Sequence, residues 1–208
     1  MQVPELGPSV PKRGGPVTRF FGRALLRLIG WRIQGPVPDL PKMVVIGAPH
    51  SSNYDFIVAM ATMFSLGLNL NIMGKHTLFN WPMGGFMRWC GLIPVNRSAA
   101  HGVVGESVAA LRNAERMWIG IAPEGTRSNH GAQWKSGFWQ IARQAELPIL
   151  PIAIDYAAHT VRFGAPLQPT ADIEQDMVSL SRFFGGTRGA TRTIPERIGV
   201  RSQPKAAE

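Results

Sequence analysis

The sequence predicts one α/β domain with a mostly parallel or mixed sheet flanked by helices, and an N-terminal basic amphipathic helix ahead of it. Three observations carry that prediction. Short, very apolar runs (MVVIG at 43–47, MWIGI at 117–121, ILPIAI at 149–154) read as buried strands. Segments with helical period separate them, as between residues 101 and 116. The chain has 208 residues, 45% hydrophobic and 17% charged. That is enough for one core at roughly 100–200 residues per domain, and it excludes a disordered chain. Gly and Pro are numerous but follow no G-x-y period, which excludes collagen. Cys90 is the only cysteine, so an intramolecular disulfide is impossible and a Cys-based zinc site is excluded in practice.

Along the chain, residues 1–16 carry Pro4, Pro8, Pro11 and Pro16 and read as a flexible N-terminus. They hold no apolar run after a basic start, so no secretion signal is expected and the setting reads as cytoplasmic. The domain proper is expected over 17–184. Within 17–32, Arg19, Arg23 and Arg27 share one helical stripe, and Phe20, Phe21, Leu25, Leu28 and Trp31 fill much of the remainder. That pattern fits a helix lying in a membrane surface, and equally a helix packed on its own domain with its arginines in solvent. It is too short and too charged to span a bilayer.

A strand at 43–47 ends at Ala48-Pro49, and a helix is expected from about Ser52 to Ser65. Phe56 to Gly74 contains no charged residue. Gly67 interrupts the window and 68–73 alternates with period two, so the reading is a buried helix and then a strand, not a span. Further elements are expected near 82–90 (helix), 92–95 (strand), 101–116 (helix), 117–121 (strand), 136–145 (helix), 149–154 and 160–163 (strands) and 172–184 (helix). Asp172, Glu174 and Asp176 suit the start of the last helix, where the dipole favours negative charge. Residues 185–208 read as a basic, weakly structured tail.

Lys and Arg number 22 against 13 Asp and Glu, a net charge of +9. Most of the excess sits at the two ends. It suits an anionic partner such as a phospholipid surface, nucleic acid or an acidic substrate. No nucleic-acid motif or basic-aromatic array is present, so no nucleic acid is expected.

Three constellations carry chemistry. In His50-Ser51-Ser52-Asn53-Tyr54-Asp55, His50 and Asp55 cannot meet inside one regular element. They meet if His50 lies in a loop and Asp55 in the first turn of the helix that follows, where Ser51, Ser52 and Asn53 are cap-type residues. Asp55 would then fix one imidazole nitrogen and leave the other to accept a hydroxyl proton. Alone, the pair is also what an ordinary loop histidine and an ordinary cap aspartate look like. Ala122 to Ser128 follows a strand, with Gly125 suited to a tight bend and Arg127 a fork for phosphate. Gly91 to Arg97 is a short strand ending in Asn-Arg, and Lys75 likewise follows a strand. Strand exits are where open α/β sheets bind ligands.

These residues resemble the glycerolipid acyltransferases. HSSNYD at 50–55, GLIPVNR at 91–97, PEGTRS at 123–128 and ILPIAI at 149–154 occur in the order of that family's four motifs, and look like the bacterial 1-acylglycerol-3-phosphate acyltransferase type. The resemblance implies acyl transfer from acyl-CoA or acyl-carrier protein to a glycerolipid hydroxyl, with lysophosphatidic acid the default acceptor. It implies His50 as general base and Asp55 as its partner. Arg97, Glu124, Gly125, Thr126 and Arg127 would contact the acceptor, chiefly its phosphate, with Lys75 an additional cation, and Ile149 to Ile154 would help line the acyl side. No metal and no bound cofactor is implied; the acyl thioester is a cosubstrate. The expected setting is peripheral, on the inner, anionic face of a membrane.

Overall fold

The computed structural model describes residues 3–75, 79–80, 82, 84–95, 100–125 and 133–201. Helix α1 (Pro16–Leu28) begins on a proline, whose missing N–H has no partner to lose in a first turn. β1 (Arg32–Gln34), β2 (Lys42–Ala48), α2 (Tyr54–Leu66), β3 (Leu70–Lys75), α3 (Gly84–Trp89) and β4 (Leu92–Val95) follow. Then come α4 (Ala100–Asn113), β5 (Met117–Ile121), β6 (Gln133–Lys135), α5 (Gly137–Ala145), β7 (Ile149–Asp155), β8 (Thr160–Phe163), α6 (Ile173–Phe184) and β9 (Gly199–Arg201). The chain is one α/β domain.

Seven strands form a mixed sheet in the order β1-β8-β7-β2-β5-β3-β4, and β6 and β9 form a small parallel pair. Within the large sheet only β7 and β8 run antiparallel. β2 lies between β7 and β5, with Val44 opposite Ile149 and Ile46 opposite Ile121. Its side chains alternate between two cores. Met43 and Val45 join α1, α2 and α3 on one face, and Val44, Ile46 and Ala48 join α4, α5 and α6 on the other. Burial on both faces is why these strands read as continuous apolar runs, each buried aliphatic side chain stabilising by roughly 1.5–3 kcal/mol. The charge-free 56–74 window divides into α2 and β3, and no helix among the described residues is long and apolar enough to cross a membrane.

Helix α1 packs on α2 through Gly22 and Leu26. A Cβ at Gly22 would lie 2.4 Å from the Ser65 nitrogen, so only glycine permits this approach. Arg23 Nε donates to the Ser65 carbonyl at 3.3 Å. The contact stripe is narrow. Val17, Phe20, Phe21 and Leu28 remain between 64 and 84% exposed, away from the packed face. The helix is thus packed on its domain and apolar outside.

Three expectations from sequence are corrected. The basic helix does not run to residue 32: Gly30, at φ +73°, turns the chain after Leu28, Trp31 is drawn into the core and Arg32 opens β1. The N-terminal segment is not loose over 3–15. Val10 is fully buried, the Asn69 N–H donates to the Pro11 carbonyl at 2.9 Å, and the Arg13 N–H donates to that of Gly67 at 2.8 Å. Nor is 185–201 a weakly structured tail. Ile194 and Ile198 enter the second core, the Ile198 N–H donates to Ser181 Oγ at 3.0 Å, and β9 pairs with β6. In both terminal segments a few apolar anchors and long-range hydrogen bonds outweigh a composition that reads as loop.

Candidate active site

The exits of β2, β5 and β7 lie side by side at the centre of the sheet. β2 leaves through a cis Ala48-Pro49 bond into His50. β5 leaves towards Glu124, and β7 ends at Asp155, next to Tyr156. Crossovers run to both sides of β2, which makes this the switch point where open α/β sheets form a crevice.

His50 lies in the loop before α2 and Asp55 in the first turn, the one arrangement in which the two meet. His50 Nδ1 stands 3.5 Å from Asp55 Oδ2, with the imidazole one-third exposed and the carboxylate 1% exposed. Asp55 Oδ2 also accepts the Ser51 and Ser52 N–H groups at 2.6 and 2.7 Å, and Oδ1 accepts the Tyr156 hydroxyl at 2.5 Å. Burial works to raise the Asp55 pKa. Hydrogen bonds from His50, Tyr156 and the two backbone groups outweigh it and hold the carboxyl below its ordinary value. Asp55 is therefore an anion at neutral pH, aligned on one imidazole nitrogen. A ring fixed in that way can accept a proton at its other nitrogen.

Glu124 is 2% exposed. Its Oε2 accepts the His50 N–H at 3.1 Å and pairs with Arg192 Nη2. The same Arg192 nitrogen donates to the His50 carbonyl at 2.8 Å. Desolvation lowers the Arg192 pKa, with the Asp55 charge opposing. The segment carrying Arg192 lies across the His50 loop: the Ala190 N–H donates to Ser51 Oγ at 2.9 Å and the Tyr156 N–H to the Arg188 carbonyl at 2.7 Å. Arg192→Gln is expected to destabilise the fold by roughly 3 kcal/mol, because it removes a buried charged partner of Glu124. Urea denaturation measures this, and Arg192→Lys, which keeps the charge, should lose less.

Of the residues singled out from sequence, His50, Asp55, Glu124 and Gly125 are brought together here. Gly125 adopts φ +74°, and its N–H closes a turn onto the Ala122 carbonyl at 3.1 Å. Lys75 ends β3, two strands from β2, and its side chain lies outside the described residues, as do Arg97, Thr126 and Arg127. Ile149 to Ile154 are buried in β7, with Leu150, Ile152 and Ile154 on the α2 face. Tyr156 and Arg192 went unmarked in the sequence. Tyr156 adjoins the ILPIAI run, which is a usable signal, whereas Arg192 sits among Gly, Thr and Pro and offered none.

A His–carboxylate pair at the central strand exits of a mostly parallel sheet places the chain among the α/β proteins that work at such a crevice. The acyltransferase family model matches residues 32–155, and the chain belongs to that family. In fold it is similar to the 1-acyl-sn-glycerophosphate (LPA) acyltransferase PlsC from Thermotoga maritima, at 16% identity and a TM-score of 0.52, over 77% of this chain and 71% of that one. No curated protein sequence matches significantly.

Proposed function

We propose that this acyltransferase moves a fatty acyl group from acyl-CoA or acyl-carrier protein to a hydroxyl of a lysoglycerophospholipid, with 1-acylglycerol-3-phosphate the first acceptor to test. The observation that carries the reading is the His50–Asp55 pair at 3.5 Å, its carboxylate buried and its imidazole open to a substrate. His50 takes the acceptor's hydroxyl proton as that oxygen attacks the thioester carbonyl. The tetrahedral intermediate collapses, the C–S bond breaks, and the proton passes from His50 to the departing thiol. No acyl-enzyme forms. Gly125, with Arg97, Thr126, Arg127 and Lys75, holds the acceptor headgroup, so that attack becomes effectively intramolecular, while Glu124, buried against Arg192 and the His50 N–H, holds the loop that carries the base. The acceptor and the thioester are the substrates, and an anionic membrane surface presents the lipid.

The test is incubation of the purified protein with acyl-CoA and a panel of lysolipids, with products identified by mass. Each product should gain one acyl chain as one thiol is released. Thioester hydrolysis alone, or no product with any acceptor, would sink the reading.

Membrane presentation falls to α1, whose Val17, Phe20, Phe21 and Leu28 face outward beside Arg19, Arg23 and Arg27. Replacing Phe20, Phe21 and Leu28 together by serine is expected to lower partitioning onto vesicles containing anionic lipid roughly 100-fold, if each side chain contributes about 1 kcal/mol or more on insertion. Sedimentation with vesicles measures it. Folding should be untouched, since these side chains lie outside the core.

A further inference from the structure

We propose that Tyr156 is a positioning residue of this site, acting through Asp55 to keep His50 available as a base. This rests on the base role proposed for His50.

Tyr156 follows the end of β7, and its N–H is held by the Arg188 carbonyl at 2.7 Å. Its ring meets the edge of Trp31 at 5.0 Å and 88°, and that of Tyr54 at 6.3 Å. Trp31 is itself buried, so the phenol is aimed at Asp55 by packing from behind. Its hydroxyl gives its single proton to Oδ1, the oxygen that faces neither His50 nor the backbone donors. Burial, and then the hydrogen bond and charge of Asp55, push the phenol's pKa upward, so it remains a donor throughout any working pH.

A donor there does two things. It fixes the rotation of the carboxyl group, so that Oδ2 keeps facing Nδ1. It also draws carboxylate charge towards Oδ1 and away from the imidazole. An imidazolium is stabilised by the full charge of a neighbouring carboxylate, so removing the donor would return that charge to the side of Asp55 that faces the imidazole. Among the described residues, the other charged or titratable groups around the pair are Glu124 and Arg192 across the His50 loop, Tyr54 on α2, and His159, which stacks on Trp31 at 5.6 Å. None of them reaches Oδ1 by a hydrogen bond among the described residues.

Tyr156→Phe removes one oxygen and keeps the ring packing. In this variant the acid limb of the kcat/KM profile is expected to move up by about half to one pH unit, the size expected for losing part of a hydrogen bond to a charged group. Activity should fall about three- to tenfold below the limb and return close to the parent value on the alkaline side. In parallel, the His50 ring-proton resonance, assigned by its loss in His50→Ala, should titrate at higher pH in Tyr156→Phe than in the parent. That second readout needs no turnover. If no acceptor is acylated and the resonance still moves up, the function reading fails while the coupling through Asp55 stands. If acylation proceeds but neither the limb nor the resonance moves, the proposal is overturned. A uniform loss at every pH with an unmoved resonance overturns it as well, since that is what a purely structural tyrosine would give.

Discussion

His50→Ala is expected to lower acyl transfer by about 10²–10⁴-fold, the usual contribution of a positioned general base. Hydroxyl protons are not lost spontaneously near neutral pH, and the attacking oxygen must shed its proton as the new ester bond forms. Among the described residues at the crevice, the other ionisable groups are poor substitutes. Glu124 and Asp55 are buried and committed to donors, and Tyr156 keeps its proton. The loss belongs to the chemical step. The imidazole is one-third exposed and adds little to the core, and Asp55 keeps the Ser51, Ser52 and Tyr156 donors without it. The variant should therefore unfold at close to the parent temperature and bind vesicles normally. Turnover within twofold of the parent would remove His50 from the role of base.

How much of this was legible beforehand follows from the range of each interaction. β2 and β7 could be read because burial on both faces demands unbroken runs such as MVVIG and ILPIAI. The His50–Asp55 pairing could be read because both partners lie within one loop and one helical turn, where spacing alone limits the geometry. Tyr156 and Arg192 are different. Tyr156 meets Asp55 across 101 residues and Arg192 meets Glu124 across 68, distances closed only by strand order and by the chain's return after α6. No periodicity encodes such a contact. Ile194 and Ile198, two buried apolar residues four apart, were the one sign that 185–201 is anchored, and the surrounding Gly, Thr and Pro masked it. The three-residue strands β1, β6 and β9 are too short to show alternation. At the other end, the arginine stripe and the apolar residues of α1 were legible, but not the division of its surface, because the close approach at Gly22 depends on where α2 lies.

Asp55 separates charge from architecture, and two substitutions read the two apart. In Asp55→Ala, the Ser51 and Ser52 N–H groups and the Tyr156 hydroxyl lose their acceptor in a buried pocket. That is expected to cost about 3–5 kcal/mol of stability, on the scale of breaking one side of a buried charged cluster. In Asp55→Asn, the amide oxygen can still accept the two backbone groups, and the amide NH₂ can donate to the Tyr156 oxygen, which accepts as readily as it donates. The fold should survive, while the imidazolium formed during proton transfer faces a neutral group, and acyl transfer should drop by about 10²-fold or more. Acid unfolding adds an independent check. The folded pKa of Asp55 lies below its ordinary value, so its contribution is complete above that value, about 3.9, and fades as pH falls through the folded one. Asparagine cannot titrate, so the Asp55→Asn variant should show a shallower loss of stability below about pH 4 than the parent. Equal slopes in the two proteins, measured by denaturation between neutral and acid pH, would mean that the carboxylate is not held by these donors in solution, and the basis for orienting His50 would go with it.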